Sequence, residues 1–292
     1  KLQADYSFNY TDRRYMLVQR MVEYSKTPGV FVKEGETSGE KLQKIDYHTL
    51  YQSANAYATW SPHLGKNHSL TALLGYNVEW SQYETLNATR LGFTSDKPSF
   101  ALMDGEATIT QAGNEWSYIG AFYRLNYNLL GRYLLELSGR YDGSSKFPTY
   151  SRWGFFPSAS LGWRVSDEPW MGWSRSWLDN LKFRISVGSM GNGSVSPYKY
   201  TSEMTLSKAT DITLGGGLPI ITSVASTVPE SLTWETSTTY DAGFDLDILQ
   251  SRLSTTFDIY RRITSDMYTA GETLPGVFGA TVPKGNNAEL RT

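Results

Sequence analysis

Between Leu232 and Ile248 the chain alternates its chemistry residue by residue. Even positions carry Leu, Trp, Thr, Thr, Tyr, Ala, Phe, Leu and Ile; odd positions carry Thr, Glu, Ser, Thr, Asp, Gly, Asp and Asp. Extended chain points successive side chains to opposite faces, so every charge falls on one face. The run also exceeds the roughly 5 to 6 residues of a typical globular strand. After a break at Leu249, Gln250 and Ser251 the alternation resumes. Leu253, Thr255, Phe257, Ile259 and Ile263 now oppose Ser254, Thr256, Asp258, Arg262 and Asp266. The two runs predict a long antiparallel hairpin.

The same period predicts eight further strands, at about 2–10, 15–24, 45–60, 69–83, 115–128, 132–142, 154–166 and 181–190, ten in all. Leu70, Ala72, Leu74, Tyr76, Val78 and Trp80 share one parity; Tyr133, Leu135, Leu137, Gly139 and Tyr141 oppose Glu136, Ser138, Arg140 and Asp142. The connections alternate in length. Short ones are expected at 11–14, 61–68, 129–131 and 249–251, with 167–180 intermediate, and long ones at 25–44, 84–114, 143–153, 191–231 and 269–288. An up-and-down outer-membrane barrel has short periplasmic turns and long external loops. A soluble sandwich has no reason to sort its loops by parity. The expected fold class is therefore all-β, an antiparallel up-and-down transmembrane β-barrel wall.

Ser166–Leu178 interrupts the alternation. Ser166 suits an N-cap, Asp167 and Glu168 a first turn, and Pro169 is tolerated there, so a short helix is expected. Trp170, Trp173 and Trp177 then share one face at the short-turn end. Two roles fit them, a membrane-interface anchor, since indoles favour the lipid–water boundary, and a helix packed on the barrel rim.

Composition sharpens the picture. With 40% hydrophobic and 14% aromatic residues the chain has enough apolar material for an ordered fold. A net charge of -2 without a basic run gives no footprint for nucleic acid. Zero cysteines exclude disulfides, thiolate metal sites and cysteine nucleophiles. No apolar run approaches the roughly 20 residues a membrane helix needs, but barrel strands need apolar residues only at alternate positions. Lys1–Tyr10 has no signal-peptide pattern, which predicts a processed or cut chain.

The run LNYNLLGRYLLELSGRYDGSSKF from Leu125, followed by RWGFFPSASLGWRVSDEPW ending at Trp170, resembles the SusC/RagA-like TonB-dependent outer-membrane transporters. The resemblance continues through WLDNLKFRISVGSMGN at 177–192, LTWETSTTYDAGFDLDILQSRLSTTFDIYRRITSDM at 232–267 and, more loosely, GNNAEL near the end. It implies a barrel of about 22 strands of which residues 1–292 form one segment, with the plug domain and TonB box lying outside it. It also implies the bacterial outer membrane as location, import of oligosaccharides or peptides driven through TonB, and a SusD-like surface lipoprotein as partner. Ten strands with open edges in lipid would leave backbone groups unpaired.

Within these motifs the residues have physical tasks. Asp142-Gly143 is expected to end a strand, with Gly143 taking positive φ. Pro157 cannot donate to a ladder, which predicts a bulge or a local edge. Arg152 and Trp153 begin the descending strand. Parity assigns Glu136, Arg140, Arg164, Lys182, Arg184, Asp241, Asp245, Asp247, Asp258 and Asp266 to the lumen, either as contacts to plug or substrate or as a solvated wall. Arg261 has the lipid-facing parity, affordable near a boundary but costing roughly 2 to 4 kcal/mol at the midplane. Tyr198, Tyr200 and Phe278 in the long loops either contact substrate or partner, or pack the loops together.

Enzymatic chemistry finds no carrier. His48, His63 and His68 lack metal-ligand spacing. Gly215-Gly216-Gly217 is not followed by the Gly-Lys-Ser/Thr of a phosphate loop. No Gly-x-Ser-x-Gly elbow occurs, and Asp167-Glu168 is better explained as a helix start. Neither cofactor nor metal is expected. The expected function is TonB-dependent nutrient import; the alternatives are a passive porin or surface-binding barrel, and a soluble secreted glycan-binding β-sandwich.

Overall fold

The alternating runs form strands. The computed structural model describes residues 1–34, 40–204, 206–209, 212–222, 228–229, 231–271, 275, 277 and 282–292. The strands are β1 (Leu2–Gln19), β2 (Val22–Thr27), β3 (Val30–Glu34), β4 (Lys41–Trp60), β5 (His68–Leu91), β6 (Ala107–Leu129) and β7 (Tyr133–Ser144). There follow β8 (Trp153–Arg164), β9 (Leu178–Asn192), β10 (Leu206–Lys208), β11 (Ile220–Thr222), β12 (Glu235–Ile248), β13 (Leu253–Ala270) and β14 (Lys284–Arg291). Ten make one sheet in the order β1-β4-β5-β6-β7-β8-β9-β12-β13-β14, each beside the next large strand in sequence. The up-and-down topology is as expected. β2–β3 and β10–β11 are separate two-stranded pairs.

Two compact units divide the chain. The first comprises Lys1–Asp5, Ala54–Val78 and Ser117–Thr292; the second comprises Tyr6–Ser53 and Glu79–Trp116. In the first, β7 pairs with β8 from Tyr133↔Trp163 to Gly143↔Trp153 in unbroken register. β12 pairs with β13 from Thr236↔Ser265 to Ile248↔Leu253. Leu130 and Gly131, at φ 57° and 72°, turn the β6–β7 hairpin, with Arg132 N–H donating to the Leu129 carbonyl at 3.0 Å; positive φ at both central residues is the type I′ geometry. Leu249, Gln250 and Ser251 all lie near φ 57–59°, and neighbours hold this turn. Leu249 N–H donates to the Trp177 carbonyl at 2.8 Å, and Ser251 N–H to Asp179 Oδ2 at 2.9 Å.

Several boundaries depart from expectation. Residues 11–14 do not turn: β1 runs unbroken to Gln19, and Arg14 reaches Asp12 at 3.2 Å along the same strand face. Thr11–Arg14 are exposed on both faces, so polarity there marks a wetted strand. The next turn falls at Gly29, φ 82°, between β2 and β3. β5 and β6 outrun the runs at 69–83 and 115–128, into stretches where Leu86, Leu91 and Ile109 stand among polar residues and the two-residue period fades. β14 was expected as loop. It pairs with β13 across two register shifts around Asp266, φ 56°, and such a bulge breaks the parity that would reveal it. The count of ten survives because one strand is gained as another is merged.

The expectation of a single short helix at 166–178 also changes. Two 3-10 helices, Val165–Asp167 and Pro169–Ser174, replace one α-helix. Ser166 lies buried inside the first, and Glu168 occupies the N-cap position of the second. Gly143 stays in the ladder without positive φ; the Trp153 ring covers it. Pro157 causes no bulge, since it faces Gly139 in register. Its other side is a local edge, where β8–β9 pairing stops at Ser158, so no donor is missed.

Candidate functional site on the charged face of the sheet

Register sorts the side chains of the first unit into rows. One row runs Asn128, Leu134, Gly162, Arg184, Gly243 and Asp258; the next runs Asn126, Glu136, Ser160, Ser186, Asp241 and Tyr260. Arg184 on β9 and Asp258 on β13 are not neighbours, because β12 lies between them. Gly243 occupies the intervening position, and the bridge passes over it at 2.8 Å. A Cβ on Gly243 would collide with the Asp258 carboxylate. Asp245 adds contacts to Arg184 at 3.4 Å and Lys182 at 3.8 Å. Asn180 donates to Asp247 at 3.0 Å, and Glu136 pairs with Arg124 at 3.3 Å. Arg164 reaches Asp167 at 4.0 Å. Together Glu136, Lys182, Arg184, Asp241, Ser160 and Asn126 line a groove of about 440 Å³.

Higher on the same face Arg140 forms a two-point contact with Asp142, both bonds 3.1 Å, and lies 5.3 Å over the Phe122 ring. Asp142 is buried. The partly exposed pairs of Arg184 with Asp245 and Asp258 fix side-chain directions more than they stabilise, since exposed ion pairs contribute about 0 to 1 kcal/mol.

Beside Arg140 stands an apolar core that the alternation did not reveal. Phe147, Phe156, Val195, Leu232 and Trp234 are buried together, with Tyr118, Tyr200 and Tyr268 packed against them. Leu232 and Trp234 were expected on the exposed apolar face of β12. The strand begins only at Glu235, which frees both to turn into this core. Trp234 Nε1 donates to the Arg152 carbonyl at 3.0 Å, and Ser151 Oγ to the Leu232 carbonyl at 2.5 Å. Asn286 exchanges two 3.0 Å bonds with the Thr233 backbone. Gly191 and Gly193 admit the Phe156 and Trp234 rings, which any side chain there would strike. The motif residues of SSKF, RWGFFP, GSMGNGS and LTWET thus meet in one place. Spacing along the chain gave no sign of it.

Tyr200 belongs to this packing; its hydroxyl donates to the Ser145 carbonyl at 3.2 Å. Tyr198 sits at φ 64°, partly exposed. Phe278 lies outside the described residues. Tyr10 and Asp12 adjoin His48, at 3.2 and 3.7 Å, and His68 meets the Tyr127 hydroxyl at 2.7 Å. Asp266 takes part through its backbone, accepting from Asn286 at 2.5 Å.

The opposite face is apolar and exposed. Tyr133, Trp163 and Phe183 form a row at the short-turn end, Leu135, Leu161 and Ile185 the row above, and Tyr141 and Phe155 a row near the long loops. Tyr141 stacks on Trp153 at 5.1 Å. Arg261 lies on this face beside Tyr240. Trp170, Trp173 and Trp177 are exposed below, the last two 6.1 Å apart. Glu168 ties this end together. Its carboxylate accepts from Arg132 at 2.8 Å and Trp163 Nε1 at 2.9 Å. The Tyr133 hydroxyl, then Trp163, then Arg132 hold its pKa below the usual carboxylate value.

One charged face, one apolar face and aromatic rows at both ends define a wall of an outer-membrane β-barrel. The chain belongs to the TonB dependent receptor-like, beta-barrel family, whose model matches residues 1–292. These are outer-membrane transporters, not enzymes. The chain is 31% identical over 216 residues to TonB-dependent receptor P3 of Formosa agariphila, covering 72% of this chain and 21% of that protein. It is 35% identical over 150 residues to TonB-dependent receptor SusC of Bacteroides thetaiotaomicron, covering 51% and 15%. A solved structure of the RagAB peptide transporter superposes with TM-score 0.82 at 22% identity, over 99% of this chain and 31% of that one. The chain thus spans about a fifth of the curated relatives it matches.

Proposed function

We propose that residues 1–292 wall the lumen of a nutrient importer energised through TonB, taking up oligosaccharides or peptides together with a SusD-like surface lipoprotein. The observation that carries this reading is the separation of the two aromatic rows. From Tyr133 to Tyr141 the strand climbs about 20 Å, at ~3.3 Å per residue and a tilt of about 40°. That approaches the roughly 25 Å apolar band of outer-membrane barrels. The apolar face then meets lipid, with Arg261 in the same register row as Tyr240 and Val187. The tryptophans Trp170, Trp173 and Trp177 anchor the periplasmic boundary.

The charged face, with Glu136, Arg140, Arg164, Arg184, Asp241, Asp245 and Asp258, lines the lumen. Phe147, Phe156, Leu232 and Trp234 fold the long loops inward onto that face and narrow its external end. Tyr198, beside this packing, contacts substrate or the lipoprotein; Tyr200 braces it. The name of the RagAB peptide transporter is what supports peptides as one of the two cargo classes.

Uptake of labelled peptides and oligosaccharides by cells with and without the full receptor tests the proposal. Loss of uptake on deletion of the gene, and its collapse under a protonophore, is expected. Uptake indifferent to the protonophore would identify a passive porin instead.

A further inference from the structure

The second unit carries a set of aromatic side chains that the proposed wall does not use. Tyr47 and Tyr51 lie on one face of β4, about 13 Å apart at ~3.3 Å per residue. Tyr83 of β5 stacks with Tyr47 at 6.5 Å and 29°, and Trp116 of β6 tilts against Tyr51 at 6.3 Å and 49°. Polar groups alternate with the rings. Tyr51 donates its hydroxyl hydrogen to Glu79 Oε2 at 3.0 Å, and Gln43 Nε2 donates to Asn87 Oδ1 at 3.1 Å. The Arg13 guanidinium lies 5.5 Å over Tyr47. All four rings are half-buried, and on β5 the facing residues Ser81, Tyr83 and Thr85 are less exposed than Gln82, Glu84 and Leu86.

From this ladder we infer a binding face for neutral oligosaccharide chains. A pyranose ring has an apolar C–H face with positive character, which complements the negative face of an aromatic ring. Its rim of hydroxyls needs donors and acceptors together, as the Glu79 carboxylate beside Tyr51 and the Gln43 and Asn87 amides at the end of the ladder supply. Two ring pairs about 13 Å apart along the strand suit a chain of sugars better than a single one. Arg13 and Glu79 cancel in charge, which favours a neutral ligand.

An extended peptide fits less well. It is usually gripped through backbone bonds to an open strand edge, whereas β4, β5 and β6 are interior strands already paired on both sides. The inference deepens the importer reading and rests on it for the origin of the ligand.

Calorimetric titration of the full-length receptor in detergent tests it, with neutral hexasaccharides of glucan, mannan and xylan and a tryptic peptide mixture as probes. At least one hexasaccharide should bind saturably. Tyr51→Ala and Trp116→Ala should each weaken it about tenfold, a loss of about 1.4 kcal/mol. Trp116→Phe should restore most of the affinity, and Gln82→Ala, on the opposite face, should leave it unchanged. Binding of peptides alone, of no probe, or of sugars equally by all variants overturns the inference. Cells expressing Tyr51→Ala/Trp116→Ala separate the two readings. Import of sugars at the wild-type rate refutes the ladder while leaving the importer intact, and import that survives deletion of the receptor refutes the importer.

Discussion

Val187 offers the sharpest perturbation of the wall. It lies on the apolar face of β9 between Ala159 and Tyr240, and its neighbour Ser186 points to the charged face opposite Asp241. Measured from Phe183 in the lower aromatic row, Val187 stands about 10 Å up the barrel axis at ~3.3 Å per residue and a tilt of about 40°. That is close to the middle of a band of about 25 Å. Val187→Arg would then place a guanidinium in hydrocarbon near the midplane, at a cost of roughly 2 to 4 kcal/mol. Ser186→Arg adds the same charge one residue away, beside a carboxylate, and should cost about 0 to 1 kcal/mol. Urea unfolding of the full receptor in lipid vesicles, read by heat-modifiable migration, measures both. Equal stability of the two variants, or greater loss in Ser186→Arg, would refute the face assignment.

Three further outcomes follow from the contacts. Phe147→Ala empties a site with 0% exposure; it should cost about 3 to 5 kcal/mol locally and make residues 193–204 sensitive to protease in intact cells, where unchanged resistance would deny their packing on this core. Gly243→Val should push Asp258 off Arg184 and cost about 1 to 3 kcal/mol by overpacking, while Gly172→Val, with open space around it, should be neutral by the same unfolding assay. Glu168 has a depressed folded pKa, so its stabilisation is present above the unfolded carboxylate value and lost as pH falls through the folded one. Melting temperatures from pH 7 to pH 3 should fall more steeply for wild type than for Glu168→Gln, and parallel curves would remove Glu168 from that role.

Alternation carried most of the wall. β7, β8, β9, β12 and β13 were legible because each has one apolar and one polar face, so a period of two appears in the residue names. It failed where that contrast failed. Thr11–Arg14 looked like a turn because both faces of β1 are wetted there, and β14 was hidden by Gly285, Asn286 and the bulge at Asp266. The rows that make the site were half legible. Parity gave the faces of Glu136, Arg184 and Asp258, yet the bridge over Gly243 needs the register of three strands. The core of Phe147, Phe156, Leu232 and Trp234 joins residues far apart in sequence through loops, and local periodicity holds no information about such contacts. The tryptophans were placed at the short-turn end, but the 3-10 geometry under them depends on Glu168 reaching Arg132 and Trp163, a tertiary effect.

The two faces of β7 should differ in what reaches them. Single cysteines placed one at a time from Leu134 to Arg140 in the full receptor, spin-labelled in lipid vesicles, can be probed with oxygen and with a water-soluble nickel chelate. Alternation with a period of two is expected, oxygen dominating at residues 135, 137 and 139 and the chelate at residues 134, 136, 138 and 140. Accessibility without alternation, or with the two phases exchanged, would contradict a wall whose apolar face meets lipid and whose charged face lines the lumen.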